Sequence, residues 1–207
     1  MDKLEKLAKY LPDGAAIIIK RWIDEYNCDF RIAGKRSTKL GDYRPRHKAL
    51  NHRISVNYNL NPYGFLLTTV HEFAHLRTWN EYKRSVKPHG QEWKRNFKEM
   101  MEPFLAMDIF PGDLHKEINN YLVNPSASSC TDVRLFRVIQ SYNVPEPDST
   151  KALLIESIPL NTIFAIQNGR KWECNINCVI GAQGRLIVEN SPHRVFHGQA
   201  ANHAGLF

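Results

Sequence analysis

With 43% hydrophobic and 24% charged residues over 207 positions, the chain has the composition of a folded protein and excludes an intrinsically disordered one. That length suffices for one well-cored domain and a small appendage. The longest apolar runs, such as Ala15 to Ile19, are too short to span a bilayer. The formal charge of +7 makes an acidic partner, nucleic acid above all, worth testing against the equally simple explanation of solubility. The opening MDKLEKLAKYLPDG lacks the basic-then-apolar order of a secretory signal, and four cysteines at irregular positions do not form a disulfide framework. Together these predict a cytoplasmic protein without membrane contact.

In chain order, a helix is predicted from Asp13 as N-cap to Tyr26, with Ala16, Ile19, Trp22, Ile23 and Tyr26 as its apolar stripe. Asp29 to Ile32 and Arg53 to Leu60 alternate as strands do; in the second, Ile54, Val56, Tyr58 and Leu60 share one face. Asn61-Pro62 reads as N-cap and first turn of a helix running through about Trp79. A basic loop follows, then a helix from about His89 to Met101, with Pro103 and Pro111-Gly112 as punctuation. The stretch Asn143 to Thr150 reads as a linker, and strand-like segments follow it. The expected fold is α+β: a domain over 1–120 with helices and a small antiparallel sheet, a connecting segment over 121–150, and a small β-rich module over 151–207.

Residues 71–75 read HEFAH, an instance of H-E-x-x-H. On a helix, positions four apart share a face, so His71 and His75 can share one ion, and zinc suits neutral imidazole nitrogens. Glu72 is placed to act as base on a water activated by that ion without ligating it. A helical wheel puts Gly64, Thr68, His71, His75 and Thr78 on one side, as a cleft wall, with Leu66, Val70, Phe73 and Ala74 opposite. The metzincin continuation is excluded because Thr78 and Glu81 stand where its glycine and third histidine would be. His89 and Glu99 are then the candidates for the third ligand. His89 lies four residues before Trp93 and continues the stripe of Trp93, Phe97, Met100 and Met101, whereas Glu99 lies off it.

Two further signals carry alternatives. Arg31 to Arg53 holds eight cations against Asp42, a net +7 in 23 residues, which fits either a phosphate backbone or a solvated loop. Cys174, Cys178, His193 and His197 have the order C-x3-C-x14-H-x3-H, near a structural zinc spacing but with a long central gap. Cys28 and Cys130 read as packing residues, and His47, His52, His115 and His203 as surface or locally hydrogen-bonded groups. Tyr63, Arg77 and Tyr82 are near the motif in sequence, but nothing singles one out as an oxyanion donor.

HEFAHLRTW followed by KPHGQEWKRNF resembles the SprT-like metalloproteases, which include the Spartan proteases of eukaryotes. That family pairs HExxH on one helix with a third histidine just before a glycine, matching His71, Glu72, His75 and His89-Gly90. KRSTKLGDYRP and HRISVNYNL resemble its strand region, so the likeness covers roughly residues 10 to 105. It implies a compact zinc endopeptidase domain, zincin-like in fold, acting on protein substrates that are DNA-associated or DNA-crosslinked. No standard four-cysteine ribbon follows the domain here. Two other functions fit the residues: a nucleic-acid-binding protein with a vestigial metal site, and a zinc hydrolase of a non-peptide substrate.

Overall fold

The computed structural model describes residues 2–48, 50–126, 132–144 and four short strands between 163 and 188. The chain divides into two compact units, Met1–Val144 and Pro145–Phe207.

The first unit begins with α1 (Lys3–Ala8), closed by a reciprocal cap between Asp2 and Glu5. Next, α2 (Ala15–Glu25) buries Ala15, Ala16, Ile19, Trp22 and Ile23. Its N-cap is Gly14 rather than Asp13. The chain enters the helix through φ +79°, a conformation open to glycine and strained for aspartate. Asn27 at φ 46° then turns the chain into the sheet.

Three strands follow: β1 (Cys28–Ala33), β2 (Gly41–Arg44) and β3 (His52–Asn57), in the order β1-β3-β2. The sheet is mixed rather than antiparallel. The chain reverses into β2 and reverses again into β3, so β3 runs antiparallel to β2 and parallel to β1, with Phe30 opposite Ile54. Ile54 and Val56 of the central strand are fully buried, but Tyr58 lies past its end and is exposed.

The longest helix, α3 (Pro62–Tyr82), runs through the middle of the unit. Asn61 caps it by accepting from the Gly64 N–H, and its amide donates to Ile139 O and Asn143 Oδ1. Phe65, Leu66, Val70, Phe73, Ala74 and Leu76 are fully buried. The expected two-sided helix is in fact buried nearly all round. Gly64 packs against Ile139, and Thr68, Thr69 and Thr78 are buried because each hydroxyl donates to the carbonyl four residues back.

The fourth helix, α4 (Gln91–Ala106), packs on α3 through Trp93, Phe97, Met101 and Phe104. It is capped at Gly90, so His89 stands just before the helix instead of opening it. Pro103 lies inside the last turn; burial of Phe104 against Trp22 carries the helix past it. Two helices that the sequence reading did not predict complete the unit. In α5 (Gly112–Val123) Leu114, Ile118, Tyr121 and Leu122 are buried, and in α6 (Val133–Ser141) Leu135 and Ile139 are. In the second unit β4 (Ile163–Ala165) pairs antiparallel with β5 (Lys171–Glu173), and β6 (Cys178–Ile180) with β7 (Leu186–Val188). No helix among the described residues is long and apolar enough to cross a membrane.

Candidate metal centre

His71 and His75 sit one turn apart on α3, and the turn before α4 brings His89 against them. Three imidazoles converge there. His71 Nε2 lies 3.2 Å from His75 Nε2 and 3.3 Å from His89 Nε2. Tetrahedral zinc with nitrogen at roughly 2.0–2.1 Å spaces its ligands about 3.3 Å apart, so the donor set fits that ion in type and spacing. Among the described residues these three form a group able to hold a metal. Glu99 is elsewhere: Arg77 of α3 grips its carboxylate at 2.6 Å, with Arg95 at 3.7 Å.

The histidines rest on an aromatic floor. The Trp93 ring lies 4.7 Å from the centroids of both His71 and His89 and 5.4 Å from that of His75, and it stacks on Phe97 from below. This apolar bed sets the ionisation of all three rings. Burial holds His71 well below the usual range and takes His75 down to about 3, with further lowering by neighbouring rings. His89 is lowered by burial too. Neutral imidazole is the form that binds a metal.

Glu72 faces the sheet side of the same cleft and is 7% exposed. Burial pushes its carboxyl up to about 8, and the Asp42 charge adds to that. Arg36, Lys39 and the Tyr43 backbone N–H pull it down. A dication at the histidines would favour the carboxylate. The edge strand β2 lies directly on this side chain. A Cβ at Gly41 would collide with Glu72 Oε1 and lie 2.8 Å from Glu72 Cγ and from Thr68 Cγ2. Only glycine allows so close an approach, and a glycine within a strand is the one sequence signal that could have pointed there.

Tyr43, a residue of that strand absent from the sequence reading of the site, also lines the cleft. Its ring stacks at 6° against His75, and its hydroxyl lies 3.0 Å from His52 Nδ1. That nitrogen also accepts from the Arg46 N–H, so Tyr43 donates to it. His52 is thus buried and locally hydrogen-bonded. Tyr63, Arg77 and Tyr82 are engaged outside the cleft: with the rings of Phe110 and Tyr142, with Glu81 and Glu99, and with Arg95 respectively.

The basic segment from Arg31 to Arg53 has half of its eight cations in ion pairs, shared between two carboxylates. Arg31 and Arg53 pair with Asp29, and Lys39 and Arg44 pair with Asp42. Arg36 donates to Asn57 Oδ1, Ser55 Oγ and the Leu40 carbonyl, which ties the loop before β2 to β3. Cys28 is buried and free, with its thiol pushed up to about 12 by burial. Cys130, Cys174, His193, His197 and His203 lie outside the described residues. Cys178 is described only as part of β6.

Neither a curated protein nor a solved structure matches the chain. Residues 17–115, a span that holds His71, Glu72, His75 and His89, match the model of the SprT-like family.

Proposed function

We propose that the protein is a zinc-dependent endopeptidase in which His71, His75 and His89 hold the ion and Glu72 moves the protons. The observation that carries this reading is the convergence of three imidazoles, with His71 Nε2 at tetrahedral spacing from the Nε2 atoms of His75 and His89, beside a buried carboxyl. A SprT-like domain, from a family typically associated with zinc and consistent with metallopeptidase-like hydrolysis, supports it at family level.

A zinc ion at this centre supplies an acidified water and an electrophile for the scissile carbonyl. Glu72, held by β2 on one side of the cleft, takes the proton of the attacking water and returns it to the leaving amine. Its raised proton affinity suits both halves of that transfer. Trp93 keeps the imidazoles neutral and aimed, and Tyr43 limits the ring of His75 from the sheet side. An extended substrate can pair with the outer edge of β2, which has no neighbouring strand among the described residues.

DNA-associated proteins as substrates follow from the family resemblance. Within the Arg31–Arg53 segment, ion pairs with Asp29 and Asp42 engage four of its eight cations. Metal analysis of the purified protein and two variants tests the ligand set. His89→Ala is expected to lose the zinc that wild type carries at one per chain. Glu99→Ala is expected to keep it, and the reverse pattern would remove His89 from the centre.

A further inference from the structure

The eight residues between α3 and α4 put three cations into the cleft: Lys83, Arg84 and Lys87. They are exposed, and none of them joins an ion pair among the described residues. The side chains of Arg84 and Lys87 make no hydrogen bond among the described residues either. The cleft's carboxylates are Glu72, committed to the metal side, and Asp42, already held by Lys39 at 2.7 Å and Arg44 at 3.0 Å. Glu92 lines the adjoining hollow together with Lys87 and Lys94 and joins no ion pair among the described residues. The loop side of the cleft is therefore electropositive, with none of its three cations in an ion pair.

This loop is also fixed in place. The Lys83 N–H bonds Trp79 O at 2.7 Å, Ser85 Oγ bonds Tyr82 O at 2.6 Å, and the Gly90 N–H bonds Lys87 O at 3.0 Å. Lys83 enters it in a left-handed turn, with its ammonium 4.3 Å above Trp79. Lys87 stands two residues before His89, and Lys83 eight after His75, about 12 Å along the helix axis. An extended peptide places side chains two to four residues from its scissile bond about 7–13 Å away, the range these cations span.

We propose that Lys83, Arg84 and Lys87 make this cleft select protein substrates with acidic side chains two to four residues to one side of the cleaved bond. Cleavage of such substrates rests on the endopeptidase reading; their preferential binding does not. A single nucleic-acid strand would meet the same charge, but such strands also need open aromatic faces for stacking. Here those faces are taken. Lys83 covers Trp79, and Tyr43 is stacked between His52 and His75.

The test is binding of short fluorescent peptides to zinc-loaded Glu72→Gln protein. Acidic, neutral and basic residues are placed on either side of a common central pair. On one side only, the acidic set is expected to bind roughly tenfold more tightly than the neutral set, from two exposed ion pairs. The gap should shrink as salt is raised to about 0.5 M. Arg84→Glu/Lys87→Glu in the same background is expected to reverse the order of acidic and basic peptides.

Equal affinities in the parent protein would overturn the proposal, with no need of the double variant. So would an oligothymidylate that outcompetes the acidic peptide through the same two residues, which would make the loop a nucleic-acid contact. Wild-type cleavage of the same peptides separates the two claims. Preference in binding with no peptide cut sinks the endopeptidase reading alone, and cleavage without preference sinks this one alone.

Discussion

Burial acts on Glu72 and on His75 in opposite senses, because it disfavours whichever form carries charge. Glu72 is raised, so without metal the folded state holds a proton that the unfolded state releases between about pH 4.5 and 8. That difference lowers stability as pH rises through the window. The histidines are lowered, so the unfolded state takes up protons first as pH falls below about 6.5, and stability drops toward acid. Metal-free protein is thus expected to be most stable near pH 7, where the two opposing slopes cancel. Chelated Glu72→Gln should exceed chelated wild type at pH 8 in urea unfolding; equal midpoints would mean the carboxyl is not desolvated as described. At this scale the sequence was most informative about the helix pair, since His71, Glu72 and His75 are fixed by helical spacing alone. His89 was legible through its phase with Trp93. Tyr43 was not, because its place beside His75 depends on how β2 pairs in the sheet.

The elements around the centre act as jigs, and each can be disturbed separately. β2 approaches Glu72 so closely that Gly41→Ala must push the carboxylate or the strand aside. Misplacement of that order is expected to lower kcat roughly tenfold or more while zinc content stays near one per chain. Unchanged kcat would show that the strand does not set the carboxylate. At the far end of α3, Asn61 caps the helix and ties it to α6 through Ile139 O and Asn143. Asn61→Ala is expected to cost about 1–2 kcal/mol in urea unfolding with little effect on metal binding. The N-cap and the α3 boundary were readable from Asn61-Pro62, a local signal. The parallel pairing of β1 with β3 was not, because strand direction is decided by contacts between residues more than twenty positions apart. Leu114, Ile118, Tyr121 and Leu122 have the spacing of a helix face, but Pro111-Gly112 immediately before them carries the signal of a break.

Taken whole, the first unit is a set of helices and a small sheet joined across the cleft by side chains from α3 and the turn before α4. An ion shared by His71, His75 and His89 would cross-link those two elements. Zinc at a hundredfold excess over Kd is expected to add about 2.7 kcal/mol of stability, a rise in Tm on the order of 5–10 °C. A chain whose Tm ignores zinc would contradict the shared ligation. The net positive charge, conspicuous in the sequence, is paired unevenly in the structure. Asp29 and Asp42 pair with four of the eight cations between Arg31 and Arg53, whereas Lys83, Arg84 and Lys87 of the loop at 83–87 join no ion pair among the described residues. Linear charge counts miss such pairing, because Asp29 lies outside the counted segment and meets Arg53 only through the β1–β3 ladder.

The most direct test of the central claim is cleavage of an unfolded casein-type substrate by zinc-loaded wild type and zinc-loaded Glu72→Gln. The account expects one zinc in each protein and a rate at least about 100-fold lower in the variant. Zinc-loaded wild type that cuts no faster than the variant would contradict it.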